Sequence, residues 1–503
     1  MNSSNQQAFE LPKTIKTRSR FRNPIGKYRL NRTDACIQCG KCVETCPYGV
    51  HVMRRGRVLV ENAYRCVGVD CDEPCHDMCP VGALSLRRNP DFDVMGDFRW
   101  PPDLLASTWY MAEFSAMPPK GLAYKTGNSG GGFDRLRIKF PASTVTSTAS
   151  DGSDDGINVG IDLNRRDDNA HRVRIEMPFY GGGMSYGSVS ITTMLSRIRA
   201  AAALGTFCCT GEGGYPDELK PYDDHVITQV ATGLFGVREE TIQRVKIVEF
   251  KYAQGAKPGL GGHLLGEKVT PGVARMREAV VGYPLFSPFP FHSVYSVEDH
   301  KKHVDWIKAI NPEALVSVKV STPTDVDMVA VGSYYAGAHI IHLDGSYGGT
   351  GAAPEIAKKN IAMPIEYALP KVHRFLTEEG VRDQVTVIAS GGVRTPHDVA
   401  KIIALGADGV CTGTADLVAL ECIRCHNCES GRGCARGIAT TDPELMELMD
   451  LDWGTQRIVN MFLAWRAELI RILKRLGMKD IKELVGRTDC LVHLDYREEV
   501  QSD

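Results

Sequence analysis

Cysteine is the residue whose spacing promises chemistry in this chain. Four fall close together in Cys422-Ile-Arg-Cys425-His-Asn-Cys428-Glu-Ser-Gly-Arg-Gly-Cys434. Eight more crowd the N-terminal part, in two runs. Thiolates are soft ligands that suit iron–sulfur clusters or zinc. Cys36-x2-Cys39-x2-Cys42-x3-Cys46-Pro47 has the spacing that holds [4Fe–4S] cubanes, and Cys66-x4-Cys71-x3-Cys75-x3-Cys79-Pro80 is a stretched copy of it. In paired runs the fourth cysteine of each ligates the other run's cluster. One cubane is therefore expected on Cys36, Cys39, Cys42 and Cys79, and the other on Cys66, Cys71, Cys75 and Cys46. The 422–434 loop begins with the same x2-x2 spacing, and four thiolates can satisfy four irons, so a third [4Fe–4S] cluster is expected there. A zinc staple closing the loop is the alternative.

Elements must position these thiols. The chain has 503 residues, 43% of them hydrophobic, with a net charge of −2 and 16 cysteines. That length predicts two or three domains, and the charge gives no sign of nucleic acid or an anionic membrane as partner. No apolar run is long enough to span a bilayer and no secretory leader is visible. Clustered cysteines point to metal in a reducing compartment, so a cytoplasmic protein is expected. Residues 1–30 read as a basic arm with Lys13, Lys16, Arg18, Arg20 and Arg22, either solvated or strapped to a partner subunit. Residues 31–90 form a two-cluster ferredoxin-like α+β domain. Residues 91–173 read as linker and insertion, with proline-rich extended stretches at Trp100-Pro101-Pro102 and Met117-Pro118-Pro119 and a polar loop from Thr144 to Asn169.

From residue 174 to 503 short apolar runs alternate with helical periodicity. Strands are predicted at Ile175–Tyr180, Gly205–Thr210, Ile247–Ala253, Leu285–Phe289, Leu315–Val320, Ala338–Leu343, Val385–Ala389 and Gly409–Thr412. Helices are predicted at Ile191–Ala203, Val297–Ile310, Thr324–Ala336, Pro364–Thr377 and Pro396–Leu405. Eight strands over this length make a (β/α)8 barrel, with a doubly wound sheet as the alternative. Helices at Pro443–Asp450 and Gln456–Leu476 are expected to cover the barrel end.

Such barrels act at the C-terminal ends of their strands. Those ends supply Gly183, Met184 and Ser185, then Thr210 and Glu212, then Gln254 and Lys257. Later ends supply Lys319, then Gly348, Gly349 and Thr350, then Gly391 and Gly392, and last Gly413 and Thr414. The glycines at 391, 392 and 413 follow strands seven and eight, where this fold binds phosphate. Lys257 and Lys319 could hold a keto-acid carboxylate or balance charge on a reduced flavin. Glu212 could move protons, and Arg277 could clamp a dicarboxylate. Cys208 and Cys209 read as small buried hydrophobes.

With these residues assembled, the barrel resembles the FMN-binding synthase domain of glutamate synthases over about Phe179 to Leu491. The resemblance rests on Gly183-Met-Ser-Tyr-Gly-Ser188, Thr210-Gly-Glu-Gly-Gly214, Tyr252-Ala-Gln-Gly-Ala-Lys-Pro-Gly259 and Gly348-Gly-Thr-Gly351. Gly437-Ile-Ala-Thr-Thr-Asp442 and Glu483-Leu-Val-Gly-Arg-Thr-Asp489 extend it. With its ferredoxin module the chain is similar to the stand-alone archaeal-type form. The resemblance implies FMN, with Gln254, Lys257 and Glu212 lining the flavin and 2-oxoglutarate site and Arg277 near the substrate carboxylates. It implies reduction of 2-iminoglutarate, made from 2-oxoglutarate and ammonia, to L-glutamate. Methylamine in place of ammonia (an N-methylglutamate synthase) and a purely electron-transferring subunit are the alternatives.

Met1-Asn2 stands where the family has an N-terminal cysteine nucleophile, so separate glutaminase-like and glycine-repeat subunits are expected. An electron donor protein or reductase subunit would complete a hetero-oligomer. The family's third cluster is a [3Fe–4S] on three cysteines, which makes that the alternative to a cubane at 422–434. Leu260 replaces a family carboxylate.

Overall fold

A computed structural model describes residues 9–21, 25–119, 122, 132–141, 156–350, 357 and 361–496 of the chain. Eight parallel strands close into a barrel: β1 Phe179–Gly181, β2 Cys208–Cys209, β3 Val226–Ala231, β4 Ile247–Lys251, β5 Leu315–Ser321, β6 Ile340–Asp344, β7 Thr386–Ser390 and β8 Gly409–Thr412. The (β/α)8 expectation holds, with β8 pairing back to β1 through Val410–Phe179, Cys411–Tyr180 and Thr412–Gly181. Helices Ile191–Ala203, Val297–Ile310, Val326–Ala336, Ile365–Glu378 and Pro396–Ala404 surround it. Ser190, Ser296 and Thr395 each cap their helix by accepting a backbone N–H through the side-chain oxygen.

One predicted strand is wrong. Leu285–Phe289 is not in the barrel; Leu285–Phe286 pairs with His263–Leu264 in a small antiparallel ladder beside the mouth. Pro288 and Pro290 lack the N–H that a central strand must donate. The third barrel strand is Val226–Ala231, whose six residues are all buried.

The described part of the 144–169 stretch is not a loose loop. Ile161–Asp162 pairs with Arg174–Ile175, and Ile161 and Leu163 are fully buried. Thr386, at the start of β7, donates its hydroxyl to the carbonyls of Asp162 and Leu163 at 3.1 and 3.2 Å. This hairpin therefore packs beneath the barrel. Residues 144–155 lie outside the described residues.

The linker also departs from expectation, because Pro102–Phe114 is a helix starting with Pro at its first position. It joins the N-terminal module to the barrel. Glu113, buried, receives the guanidinium of Arg65 and the hydroxyl of Tyr64, and Lys27 meets Asp103 at 2.8 Å. The long helix Leu451–Leu476 packs against helices Ile191–Ala203, Pro396–Ala404 and Pro102–Phe114. It lies on the barrel flank, where an eighth outer helix belongs, rather than over the barrel end. Phe462 and Trp465 bring it edge-on to Phe179 of β1.

The N-terminal module has two short antiparallel pairs, Tyr28–Arg32 with Leu84–Arg88 and His51–Arg54 with Arg57–Val60. Before it, residues 9–21 run along the barrel side of the same chain, which corrects the solvated-arm reading. Arg457 and Asn460 donate to the carbonyls of Thr17 and Ile15 at 3.0 and 2.7 Å, and Thr17 N–H donates to Glu113 at 3.1 Å. Arg22 lies outside the described residues. Among the described residues no helix is long and apolar enough to cross a membrane.

Candidate functional site

The C-terminal ends of the strands open into a cavity of about 470 Å3. Its wall includes Gly183, Met184 and Ser185 after β1, Glu212 after β2, and Gln254 and Lys257 after β4. Lys319, Gly348, Gly349, Thr350, Gly391, Gly392, Gly413, Thr414 and Arg277 complete it. All but one of the residues singled out for the barrel site therefore converge. The exception is Thr210, which is fully buried behind the wall and turns its hydroxyl to the Gly211 carbonyl. Gly351 lies outside the described residues. Leu260 is not on the wall and is 44% exposed.

Charges on this wall are paired unevenly. Glu212 Oε2 accepts from Lys251 Nζ at 3.0 Å and from Ser287 Oγ at 3.2 Å. Burial would raise the Glu212 carboxyl, but Lys251, Lys257 and Arg277 together hold it below the usual carboxylate range. Lys257, 6% exposed, pairs with no carboxylate among the described residues. Burial, then repulsion from Lys251, pulls its ammonium down to about 8 against the opposing pull of Glu212. Arg277 donates through Nη2 to Ser185 Oγ at 2.9 Å and to the Tyr186 carbonyl at 3.0 Å. Among the described residues its buried Nε, and the buried Gln254 Oε1, have no hydrogen-bond partner.

Beneath this wall the barrel interior is polar, a feature that hydrophobic patterning does not reveal. Gln229 Nε2 donates to Glu249 Oε1 at 2.7 Å, and Glu249 Oε2 lies 3.0 Å from His342 Nδ1. His342 Nε2 lies 2.8 Å from Ser390 Oγ, which donates to Asp344 Oδ1 at 2.6 Å. Asp344 Oδ2 accepts from Gly255 N at 3.0 Å and stands 3.5 Å from Lys319 Nζ. Burial opposes the Lys319 charge, but Asp344 and Glu249 outweigh it and raise the ammonium above its ordinary value. Lys251, also absent from the sequence-based set, ends β4 at the mouth. A charged residue closing an all-buried strand is the signal that could have found it.

The wall fits a phosphorylated flavin. Gly391 and Gly392 follow β7 and Gly413 follows β8, and all three lie on the wall. Bare main chain after β7 and β8 is what a phosphate needs to approach backbone N–H groups. The orphaned acceptor of Gln254 and donor of Arg277 await a ligand's complementary atoms.

The cysteines fit clusters. Cys422, Cys425, Cys428 and Cys434 line the same cavity. Burial pushes Cys422 up to about 11, and burial with Cys434 and Cys425 pushes Cys428 up. In the N-terminal module, Cys46, Cys66, Cys71 and Cys75 surround one small hollow, the grouping expected for the second cubane. Burial, then the thiols of Cys66 and Cys46, pushes Cys75 up to about 12. Ligation to iron removes that cost, because the metal's charge favours the thiolate. Of the other set, Cys79 Sγ accepts from Ala83 N at 3.3 Å, Cys36 and Cys39 lie in irregular chain, and Cys42 lies in the short helix Lys41–Glu44.

The 422–434 loop is fixed by its surroundings. Arg424 donates to Asp97 Oδ2 at 2.9 and 3.1 Å, while Asp97 Oδ1 accepts from the N–H groups of Arg99 and Trp100 at 2.9 Å. Gly96 N donates to the Ile423 carbonyl at 3.0 Å. Arg20 of the N-terminal arm donates to the carbonyls of Leu420, Arg436 and Leu448. Arg424 and His426 adopt left-handed φ of 58° and 60°, matching Gln38 (56°) and Gly40 (80°) in the first N-terminal run.

Comparison with known proteins agrees with this architecture. Residues 156–479 match the model described as the conserved region in glutamate synthase, and residues 31–51 match a 4Fe-4S binding domain. The chain is 38% identical to an archaeal-type glutamate synthase (NADPH) of Thermotoga maritima, covering 91% of this chain and 92% of that protein. It is 36% identical to an archaeal glutamate synthase (NADPH) of Archaeoglobus fulgidus, covering 92% of each. It is 37% identical to the large chain of a glutamate synthase (NADPH) of Azospirillum brasilense, over 63% of this chain and 21% of that one.

Proposed function

The chain belongs to the glutamate synthase family of flavin and iron–sulfur oxidoreductases, and from that premise we propose that it reduces 2-iminoglutarate, formed from 2-oxoglutarate and ammonia, to L-glutamate. Lys257 carries the reading. A buried cation without a carboxylate partner is costly, and an anion arriving from solution relieves it. Lys257 binds one carboxylate of the keto acid, and the orphaned Nε of Arg277 faces the other. Glu212, held ionised by Lys251, orients the incoming nitrogen and exchanges its proton. Gln254 would help hold the cofactor through its unpartnered side-chain oxygen, and Lys319 would balance negative charge on it. Gly391, Gly392, Gly413 and Thr414 hold the phosphate of FMN. Bound FMN supplies the hydride and accepts electrons one at a time from clusters.

Cys422, Cys425, Cys428 and Cys434 hold a [4Fe–4S] cluster beside that cavity. Four thiols and the left-handed turn shared with the N-terminal run support this over a three-iron cluster. Cys36, Cys39, Cys42 and Cys79, and Cys66, Cys71, Cys75 and Cys46, would hold two cubanes that supply a one-electron path from a separate donor, and a glutaminase-like subunit would supply ammonia. The loss of a carboxylate at Leu260 would favour a purely electron-transferring role, but its place outside the cavity wall removes that argument.

Lys257→Ala tests the reading. Glutamate formation from 2-oxoglutarate and ammonia under a low-potential donor is lost, while flavin and iron content stay intact. Unchanged turnover sinks the assignment, and faster turnover with methylamine than with ammonia redirects it. The wild-type pH profile gives a second check. The amine is charged below about 8, so KM for 2-oxoglutarate rises as pH climbs past that point, by about tenfold per pH unit. Lys257→Arg, charged throughout, flattens that rise.

A further inference from the structure

In the N-terminal module a buried histidine stands against a ligand thiol. His51 opens the strand His51–Arg54 and is 2% exposed. Its Nε2 lies 3.2 Å from Cys75 Sγ, and its Nδ1 lies 3.4 Å from Arg32 Nη2. A guanidinium offers only N–H donors. The ring nitrogen that faces it must therefore present its lone pair, and the neutral ring's single proton sits on Nε2, aimed at sulfur. Arg32 is held in place in turn. It ends the strand Tyr28–Arg32, its Nη1 donates to the Val58 carbonyl, and its Nη2 also lies 3.8 Å from Cys42 Sγ. Among the described residues no other side chain donates a hydrogen bond to Cys46, Cys66, Cys71 or Cys75.

We propose that His51 is a positioning residue for electron transfer: its Nε2–H donates to the Cys75 thiolate and raises the reduction potential of the cluster that Cys75 ligates, while Arg32 fixes the tautomer. The proposal rests on the reading of Cys46, Cys66, Cys71 and Cys75 as a cluster site. Uptake of one electron adds one negative charge to cluster and thiolates, with no bond made or broken. An N–H pointing at a ligand sulfur stabilises that extra charge more than the oxidised state. His51 is not needed as a ligand, since four thiols already surround the hollow.

The test is an anaerobic redox titration of the full-length protein with dithionite, followed by EPR, on wild type, His51→Ala and His51→Gln. His51→Ala lowers the midpoint of one N-terminal cluster and leaves the other clusters unmoved. His51→Gln, whose amide keeps an N–H, restores part of the shift. Iron content is unchanged in both. Unchanged midpoints in His51→Ala with iron intact overturn the proposal alone. Loss of one cluster's iron in both His51 variants also overturns it, because His51 would then be a ligand rather than a donor. Cys75→Ser separates the underlying reading: if that variant loses no iron relative to wild type, the cluster assignment fails and the proposal fails with it.

Discussion

Two loops in this molecule share a sequence, Cys-Ile-x-Cys-x-x-Cys, at 36–42 and at 422–428. They share a backbone too, with left-handed residues on either side of the middle cysteine, and in both the middle cysteine is exposed while its neighbours are half-buried. They differ beyond the third cysteine. The first runs into the helix Lys41–Glu44 and then Cys46-Pro47, and its outside bonds are few: Val58 N donates to Gln38 Oε1 at 2.7 Å and Arg32 Nη2 lies 3.8 Å from Cys42 Sγ. The second has no helix after it and reaches Cys434 through Ser430-Gly-Arg-Gly433. Its shape is imposed from outside by Asp97, which accepts from Arg424, and by Lys268, which donates to the Cys428 carbonyl at 2.8 Å, while Arg20 ties the flanking chain at Leu420 and Arg436. The second left-handed position is glycine in the first loop and histidine in the second. A non-glycine residue there costs about 1–2 kcal/mol, which the external bonds offset. The same turn is thus held mainly by the helix that follows it in one place and mainly by its neighbours in the other, where on the proposed reading a cluster would stand beside a cavity.

The largest effects come from removing the thiols. Cys425→Ser abolishes glutamate formation and strips the barrel cluster, leaving the N-terminal EPR signals, whereas Cys39→Ser removes one of the two N-terminal signals and leaves the barrel signal. Wild-type protein prepared anaerobically holds about twelve irons per chain, as three cubanes require, with no three-iron signal before oxidation. About eleven irons with that signal present as isolated would mean the two loops share a backbone but not a cluster type.

An intermediate effect separates local from imposed shape. Asp97→Ala leaves the Arg424 guanidinium and two backbone N–H groups without their acceptor, costing roughly 1–3 kcal/mol. Hydrogen exchange across 94–100 and 422–426 accelerates, and exchange across 36–42 does not. Equal acceleration in both loops would show that they are not independently held.

The smallest effect probes the glycine. Gly40→Ala costs about 1 kcal/mol for its left-handed backbone, since the nearest atom an added Cβ meets is the end of the flexible Met53 side chain, at 3.2 Å. The temperature at which the N-terminal cluster absorbance is lost falls slightly. A large fall would show that packing rather than φ governs the position.

Much of the site is legible in the sequence because its parts announce themselves locally. Gly391, Gly392 and Gly413 end apolar runs, and the cysteine spacings suggest ligand sets without knowledge of the fold. The third barrel strand is not legible. Thr228 and Gln229 interrupt its apolar pattern, because in this barrel the layer containing Gln229, Glu249, Ser317, His342 and Ser390 is a hydrogen-bonded polar core. Leu285–Phe289 looks more like a strand than the real one. Lys251 does not stand out because its partner, Glu212, is distant in sequence. The docking of the arm is hidden for a related reason. Arg457 and Asn460 grip it by its carbonyl groups, and any sequence offers carbonyls.

The N-terminal module is attached on both sides. Residues 9–21 lie along the helix Leu451–Leu476 before it, and residues 96–114 bind the barrel loop and the same helix after it. A free ferredoxin must find its acceptor by collision, at a rate that depends on its concentration and on salt. A module moored at both ends has no encounter step, and linkage replaces concentration with a fixed local value. On the function proposed above, electron delivery from its clusters to the barrel would therefore be first order, and dilution or added salt would slow only the step that loads the module from outside.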